Sequence, residues 1–417
     1  MPSTAPEAAT SSYGARSGPV DACLSWRTVN RTHTNAAVAW LRPIAGGSAE
    51  DLHAVPWESW ENVIAAAAKG GVLEALIVRL RESGLMAALP HALWRQLERV
   101  EHHAALAALG NQRTFVQLAR VLVAADVPVV PYKGIDLAHT VYPDMRMRPM
   151  TDVDLWVRAE ELPAALDALA TAGLVFKPSP TRQALYPRAW DGEVKLRRRD
   201  DDHTAAELHH GPYPGEWLHR AARIDRAATW DRLQAGALLG HPVLRLAPED
   251  HALEVALHAT INHQFSYVPL RQLLDLVMLA RAGLDTEKLA ARARVWRITR
   301  PVRLAFALAS EAYEEPSTTL IAERLALEDP RINPLRTWGL PTLSDILEAR
   351  RLSRTRLARY VYFLQLTHGW ADATRLLVPG VWPERSWLVA RYGSAGPQAR
   401  LRHLRVLLSR DRRGGRA

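Results

Sequence analysis

Two aspartates, Asp152 and Asp154, are separated by one residue in the segment Asp152-Val-Asp-Leu-Trp-Val157, where polar and apolar side chains alternate. This alternation predicts a β-strand, in which residues i and i+2 point to the same face. Two carboxylates held this close repel each other unless a cation lies between them. Hard oxygen ligands are what Mg²⁺ prefers, usually together with water and substrate phosphates. The pair therefore indicates a site for Mg²⁺ or Mn²⁺, although an Asp-x-Asp at the exposed end of a strand would have the same sequence.

A Lys-Gly pair, Lys133-Gly134, follows a β-branched segment at 127–132 and precedes a predicted short helix at 135–142. Glycine at such a turn lets the backbone approach a ligand closely, and the amino end of a helix favours anions. The lysine adds a positive charge that suits phosphate. We therefore expect this turn to contact the phosphates of a ligand.

Further charged residues accompany the aspartate pair. Arg146 and Arg148 shortly precede it, so the predicted site handles charge of both signs. Glu207 lies in a later predicted strand, 204–210, and would supply a third acid. His209 shares a face with Glu207 by the same two-residue spacing. We predict that the two aspartates and Glu207 are the metal ligands and the catalytic residues.

The elements that would position these residues form three blocks along the chain. Apolar residues three and four apart predict helices over 50–125 and again from Pro248 to about residue 410. The block between them has the pattern of short strands with two helices. Its predicted strands are 127–132, 152–157, 174–177, 193–198 and 204–210, of which the last two form a hairpin.

These blocks predict an α+β fold, with a mixed sheet flanked by N-terminal helices and a C-terminal all-α domain. We divide the chain into four parts. They are a disordered tail (1–22), a helical region (23–125), the sheet core (126–220) and a helical domain with a basic tail (221–417).

Composition limits the class of protein. The chain has 417 residues, of which 48% are hydrophobic and 23% charged, so it can bury a sizeable core and is not wholly disordered. Cys23 is its single cysteine, which excludes an internal disulfide and suggests a reducing setting. The first 22 residues lack the apolar block of a signal peptide, and no apolar stretch is long enough to span a bilayer. We therefore predict a cytoplasmic protein.

The positive charge is concentrated at the C-terminal end. The whole chain carries a net charge of +9, whereas Arg350–Ala417 alone carries +12, from fifteen arginines, no lysine and three acids. Clustered arginines can bind phosphate, nucleic acid or an anionic membrane, and so indicate a possible anionic partner, but they are more often a solvated face of arginine-rich helices. The charge does not belong to the predicted active site.

A longer segment around the acids resembles a known family. It reads Tyr132-Lys-Gly-Ile-Asp-Leu-Ala-His-Thr-Val-Tyr-Pro-Asp-Met-Arg-Met-Arg-Pro-Met-Thr-Asp-Val-Asp-Leu-Trp-Val157. It resembles the uncharacterised nucleotidyltransferases of bacteria, which often lie near genes for peptide natural products, and more distantly the toxin-type nucleotidyltransferases of abortive-infection systems. The resemblance covers roughly Val55 to Tyr392. It includes the Glu-Leu-His strand and a downstream pattern of His258, Leu270-Arg271 and Asp275.

The resemblance implies a DNA polymerase β-like nucleotidyltransferase fold. It implies that Asp152 and Asp154 bind metal, and it puts Glu207 where the third acid is expected. Two departures stand out: the turn is Lys-Gly-Ile instead of Gly-Ser or Gly-Gly, and the third acid is Glu instead of Asp. The predicted nucleotide-binding residues are Lys133, Gly134, Arg146, Arg148, His258 and Arg271. His258 could also be a core residue, and Arg271 could form a surface ion pair with Asp275.

Two functions from different classes follow. The first is a metal-dependent nucleotidyltransferase that moves a nucleotide from an NTP to an unknown acceptor, which is a peptide, a small metabolite or an RNA. The second is a binding protein on a degenerate scaffold, or a toxin-type component, in a natural-product or defence locus. Binding of NTP with Mg²⁺ distinguishes them, and retention of both aspartates and Lys133 favours the enzyme.

Overall fold

A computed structural model of the protein describes residues 37–46, 49–176, 192–199, 204–211, 213–329, 340–347 and 356–408. The predicted tail at 1–22 lies outside these residues, as do residues 200–203 between the strands of the predicted hairpin.

Short strands lie between two groups of helices along the chain. The strands are β1 (Val130–Pro131), β2 (Val153–Trp156), β3 (Leu174–Phe176), β4 (Glu193–Arg198), β5 (Thr204–His209), β6 (Gln234–Leu238) and β7 (His241–Arg245). The helices up to β7 are α1 (Trp60–Gly70), α2 (Leu73–Glu82), α3 (His91–Ala124), α4 (Gly134–Thr140), α5 (Leu162–Thr171), α6 (Glu216–Ala221) and α7 (Arg226–Asp231).

After β7, every regular secondary-structure element of the described chain is a helix. The first four are α8 (Pro248–Leu257), α9 (Pro269–Arg281), α10 (Thr286–Val295) and α11 (Thr299–Tyr313), with a π-helical turn at His258–Asn262 after α8. The others are α12 (Pro316–Glu328), α13 (Leu343–Leu347), α14 (Arg356–Gln365), α15 (Trp370–Val381), α16 (Arg385–Tyr392) and α17 (Pro397–Leu408). Among the residues described, none of the helices has both the length and the apolar character needed to cross a membrane.

Five strands form one mixed sheet in the order β1-β2-β5-β4-β3. Strands β2 and β5 run parallel, and every other neighbouring pair is antiparallel. The predicted hairpin is therefore confirmed as β4 and β5. A second hairpin, β6–β7, was not predicted; it lies beside β1, where Leu244 N–H donates to Val129 O at 2.8 Å.

The two faces of the sheet have different partners. Val153, Leu155, Ala206 and Leu208 point to one face, where they pack in one apolar core with residues of α3 and α5. Because side chains alternate along a strand, the residues between them project to the opposite face. That second face carries the charged groups, and the predicted orientation of the aspartate pair relative to Val153 and Leu155 is confirmed.

A larger core joins the helices at the two ends of the chain. It contains apolar residues from positions 37–100 together with residues from the helices after β5. The α+β class, with a mixed sheet and a C-terminal helical region, is thus confirmed. The four-part division of the chain stays a prediction, and the contacts within this core cross two of its boundaries.

The basic C-terminal segment is partly neutralised by internal contacts. Arg375 lies 3.2 Å from the carboxylate of the buried Asp372. Arg400 stacks 4.0 Å from the ring of Trp382, which is itself exposed. An anionic partner for this segment stays a prediction.

Candidate active site

Acidic residues meet on the second face of the sheet because β2 and β5 are parallel and in register. Asp154 is the direct partner of Glu207, and Trp156 is the partner of His209. Asp154, Glu207 and His209 are all buried, and each offers a ligand atom within 4.8 Å of the others. The register of β2 and β5 therefore brings Glu207 close to Asp154, as predicted.

Two side chains hold the Asp154 carboxylate. Its Oδ1 lies 3.0 Å from Lys133 Nζ and 2.9 Å from His209 Nε2. The pKa of Asp154 is raised by burial, but the Lys133 charge and the His209 hydrogen bond outweigh burial and lower it overall. Burial likewise lowers the pKa of Lys133, yet the nearby acids, Asp154 first among them, raise it overall. Asp154 is therefore ionised and Lys133 protonated at neutral pH.

A second lysine, Lys195 on β4, forms an ion pair with Glu207. Lys195 is the register partner of Glu207, so its side chain reaches the same face of the sheet. Burial raises the pKa of Glu207, whereas its contacts with His209 and Lys195 lower it overall. Lys195 was not predicted to be part of the site, although the alternation along β4 places it on this face.

Asp152 lies immediately before β2 and is half-buried. It stands outside the 4.8 Å group, and its Oδ1 accepts a hydrogen bond from the Thr151 hydroxyl at 3.2 Å. Burial, followed by the negative charges of Asp154 and Glu207, raises its pKa to about 7. Asp152 thus lies within the field of both acids without an ion pair of its own among the contacts described.

The turn that presents Lys133 has an unusual backbone. Lys133 has φ +54° and ψ −130°, a left-handed φ that costs a residue with a Cβ on the order of 1–3 kcal/mol. Its N–H donates to His251 Nε2 at 3.2 Å, and His251 Nδ1 lies 3.4 Å from Asp136 Oδ2. His251 therefore joins α8 to the turn in the tautomer that carries its proton on Nδ1. Neither His251 nor Asp136 was predicted to be part of the site.

The positive φ of the turn falls on Lys133, so the backbone conformation does not require a glycine at position 134. Gly134 is needed for packing instead. A Cβ placed on Gly134 would lie 3.1 Å from Met150 Cβ, so the turn packs tightly on the segment before the aspartates. The helix that follows, α4, has only seven residues. Lys133, and not the helix end, therefore provides the strong positive charge of this turn.

The two predicted arginines lie in different surroundings. Arg146 is 46% exposed and pairs with Asp144 at 2.6 Å and with Glu101 at 3.6 Å. Arg148 is buried, and its Nε donates to Asp275 Oδ1 at 2.6 Å. Tyr142 donates its hydroxyl to the same oxygen, also at 2.6 Å. The structure therefore assigns Arg148 to a buried cluster that joins the segment before β2 to α9.

The remaining predicted residues lie on the helices that border the site. Asp275 pairs with Arg148, whereas Arg271 donates from Nη1 to Pro149 O at 3.1 Å. His258 is 24% exposed at its side chain and lies 4.0 Å from Glu254. In the contacts described, Arg271 and Asp275 each have another partner. They do not form the surface ion pair that was the alternative.

We expect Asp275→Ala to lower the free energy of unfolding by about 3–5 kcal/mol, because it leaves the buried Arg148 guanidinium without its counter-charge. Urea denaturation followed by circular dichroism measures the change. The control is Glu82→Ala, which removes the exposed partner of Arg79 and should cost under about 1 kcal/mol. Equal midpoints for both variants would show that the buried cluster contributes little to stability.

The donor set fits a divalent cation. Asp154 and Glu207 supply adjacent carboxylates, and Asp152, which lies outside the 4.8 Å group, is close enough for both acids to raise its pKa. Carboxylates suit Mg²⁺ and Mn²⁺, whereas a neutral imidazole is more typical of later transition metals. His209 hydrogen-bonds Asp154 directly, so its role here is to orient that carboxylate.

Comparison with known proteins agrees with this arrangement. No curated protein and no solved structure matches the chain significantly. The sequence profile described as "Uncharacterised nucleotidyltransferase" matches residues 56–314, which include the Lys133 turn, both aspartates, Glu207 and α8–α11. This match spans more than half of the chain, which therefore belongs to the uncharacterised nucleotidyltransferase family.

Proposed function

We propose that the protein is a metal-dependent nucleotidyltransferase that transfers a nucleotide from an NTP to an acceptor hydroxyl or phosphate. The observation that carries the proposal is the in-register pair Asp154 and Glu207 on two parallel strands, with Lys133 Nζ 3.0 Å from Asp154. Paired acids beside a protonated lysine suit a substrate that brings both phosphates and a divalent cation.

Each residue of the site has a defined task in this proposal. Asp152 and Asp154 hold Mg²⁺ or Mn²⁺, and Glu207 helps to hold a second ion. Lys133, whose Nζ lies 3.0 Å from Asp154 Oδ1, would be available to the triphosphate if a cation neutralised that carboxylate. His209 keeps the Asp154 carboxylate oriented, because its hydrogen bond comes from the side chain of a neighbouring strand. Gly134 lets the turn stay close to the segment that carries the aspartates.

The reaction would form a bond between the acceptor oxygen and the α-phosphorus of the NTP. The bond from that phosphorus to the bridging oxygen breaks, pyrophosphate leaves with its electron pair, and the acceptor proton passes to water. A bound divalent cation would neutralise phosphate charge and lower the pKa of the acceptor hydroxyl. The protein then contributes position and fixed charge, which are the main terms in phosphoryl-type transfers.

A second candidate is a binding protein on a catalytically degenerate scaffold. The observation in its favour is that Lys133 and Lys195 already neutralise Asp154 and Glu207 without a cation. Such a site would bind a ligand through its lysines and would neither need nor retain a divalent ion.

Label transfer separates the two candidates. Pure protein is incubated with each α-³²P-labelled NTP, Mg²⁺ or Mn²⁺ and a cell extract that supplies peptides, metabolites and RNA. We expect label to enter an acceptor with at least one NTP, release of pyrophosphate in equal amount, and loss of both products with EDTA. NTP binding that is unaffected by EDTA, with no label transferred, would favour the binding protein.

A further inference from the structure

A row of flat side chains lines the segment that connects α8 to α9. The rings of His258 and His263 have centroids 4.3 Å apart with planes inclined by 51°, and those of His263 and Tyr267 are 5.7 Å apart with planes inclined by 30°. The Arg271 guanidinium lies 6.0 Å from the Tyr267 ring. We call these four residues the ladder. The ladder reaches solvent at Tyr267, which is 38% exposed.

Contacts at both ends place the ladder beside the acidic site. Before it, His251 on α8 accepts the Lys133 N–H at 3.2 Å. At its far end, Arg271 on α9 donates to Pro149 O at 3.1 Å, in the segment that leads to the aspartate pair. Helices α8 and α9 therefore contact the Lys133 turn and the chain just before β2, and the connecting segment links these two helices.

The loop after β5 meets the same segment from another side. A Cβ on Gly215 would lie 3.8 Å from Asn262 Oδ1, in the π-helical turn. Strand β5 carries Glu207 and His209 and ends at His209, so this contact brings the ladder segment close to the chain that follows the acidic strand.

The backbone of the segment is held in uncommon conformations. His258 begins a π-helical turn, a form that is rare and frequent at functional sites. Gln264, Phe265 and Val268 then have φ values of +49°, +55° and +39°. A positive φ is a particular outlier for a β-branched residue such as valine. Strain of this kind clusters at ligand sites, where it fixes side chains that a relaxed loop would not place.

A buried acid lies at the inner end of the ladder. Glu254 is 2% exposed, and its Oε1 lies 4.0 Å from His258 Nδ1. Its Oε2 has no hydrogen-bond partner among the residues that the structure describes. A buried polar oxygen of this kind is usually satisfied by a partner, so it favours a polar ligand edge at this end over a purely apolar packing role.

The two histidines of the ladder are neutral near pH 7. Burial, together with the positive charges of Lys133 and Arg271, lowers the pKa of His263 to about 4. Burial and the neighbouring His263 lower the pKa of His258 in the same direction. Neutral imidazole rings stack on other aromatic faces without the cost of desolvating a charge.

We propose that the ladder is a stacking platform for the base of the nucleotide, with the triphosphate directed towards Lys133 and the acids. This inference rests on the proposed function and assigns it a ligand class: a nucleoside triphosphate, recognised by its base as well as by its phosphates. Every nucleobase has a π-face that stacks on aromatic rings and on guanidinium groups, so the platform contributes affinity without selecting one base.

Calorimetry with two probes tests the platform. ATP, GTP, CTP and UTP carry a base, whereas inorganic tripolyphosphate carries only the phosphates; all are titrated with Mg²⁺ into the full-length protein. We expect Tyr267→Ala and His263→Ala each to weaken binding of the best NTP by about tenfold or more, as loss of one stacking partner does. Binding of tripolyphosphate should stay within about twofold. Tyr267→Phe and His263→Phe keep a flat ring, so these variants should bind the NTP about as tightly as the wild type does.

The other outcomes are decisive as well. If the alanine variants bind NTP as the wild type does, the platform is wrong while the proposed function stands. If they weaken NTP and tripolyphosphate equally, the ladder acts only on the shape of the site, and the platform is again wrong. If the wild type binds neither probe with Mg²⁺, the proposed function itself fails.

Discussion

Asp154→Asn should lower nucleotidyl transfer at least about a thousandfold, because several kcal/mol of charge stabilisation depend on the carboxylate at this position. Asparagine keeps the shape of the side chain and still accepts hydrogen bonds from Lys133 and His209. It removes the negative charge that faces Glu207 across the parallel strands. The initial rate of pyrophosphate release, with the NTP that labels an acceptor, measures the effect.

Asp152→Asn tests whether a loss of transfer comes from the missing carboxylate or from a folding defect. Asp154 is buried beside Lys133, so its replacement leaves a buried ammonium partly uncompensated. Asp152 has no such partner among the residues that the structure describes, and burial with the neighbouring acids raises its pKa from 3.8 to about 7. A raised acid pKa means that folding stability is lost as the pH rises through this window. Asp152→Asn should remove that loss, fold at least as well as the wild type at pH 8, and still lose transfer. Transfer above a few per cent in a folded variant of either aspartate would contradict the two-metal mechanism.

The alternation of polar and apolar residues was enough to predict which face of β2 carries the aspartates. It required only that Val153 and Leu155 be buried, and both lie in the core against α3 and α5. The β4–β5 hairpin was predictable for a similar reason, since two alternating segments are joined by a short polar loop. In both cases neighbouring residues on one strand, or on adjacent strands, decide the outcome.

Contacts between distant segments were not predictable from the spacing. In the sequence Asp275 is four residues from Arg271, yet in the fold it pairs with Arg148. Strand β2 pairs with β5, so that Asp154 meets Glu207, 53 residues later in the chain, and no local pattern encodes that choice. His251 could likewise not be predicted as part of the site, because its partner Lys133 is 118 residues away in the sequence.

The second hairpin was missed because its first strand is a weak β-former. β6 reads Gln-Ala-Gly-Ala-Leu, which lacks the branched and aromatic residues that mark strands. It forms because β7, which pairs with it, also hydrogen-bonds to Val129 before β1. Tertiary context therefore decides the structure here against the local propensity.

Glu207→Gln should slow the chemical step by about a hundredfold, an effect typical of losing a metal ligand or catalytic acid. The carboxylate is in register with Asp154 and on the same face, so it satisfies the geometric requirement for a third acid. Glutamine keeps the length of the side chain and removes its charge. NTP affinity should change little, because both aspartates and Lys133 remain, so single-turnover rates and calorimetry together should show a loss in rate alone.

Glu193→Gln is the matched control for this change. Glu193 lies on β4, and its carboxylate is 3.8 Å from Lys195, the same lysine that pairs with Glu207. The control therefore removes one negative charge from the surroundings of that lysine while leaving the group of potential metal ligands intact. We expect its single-turnover rate to stay within about threefold of the wild type, since an indirect charge effect on this scale is small beside loss of a ligand. If the two variants were equally slow, the effect of Glu207 would come from charge balance around Lys195. If both were as fast as the wild type, the site would operate with the two aspartates alone, and Glu207 would serve only to hold Lys195 and His209 on the face of the sheet.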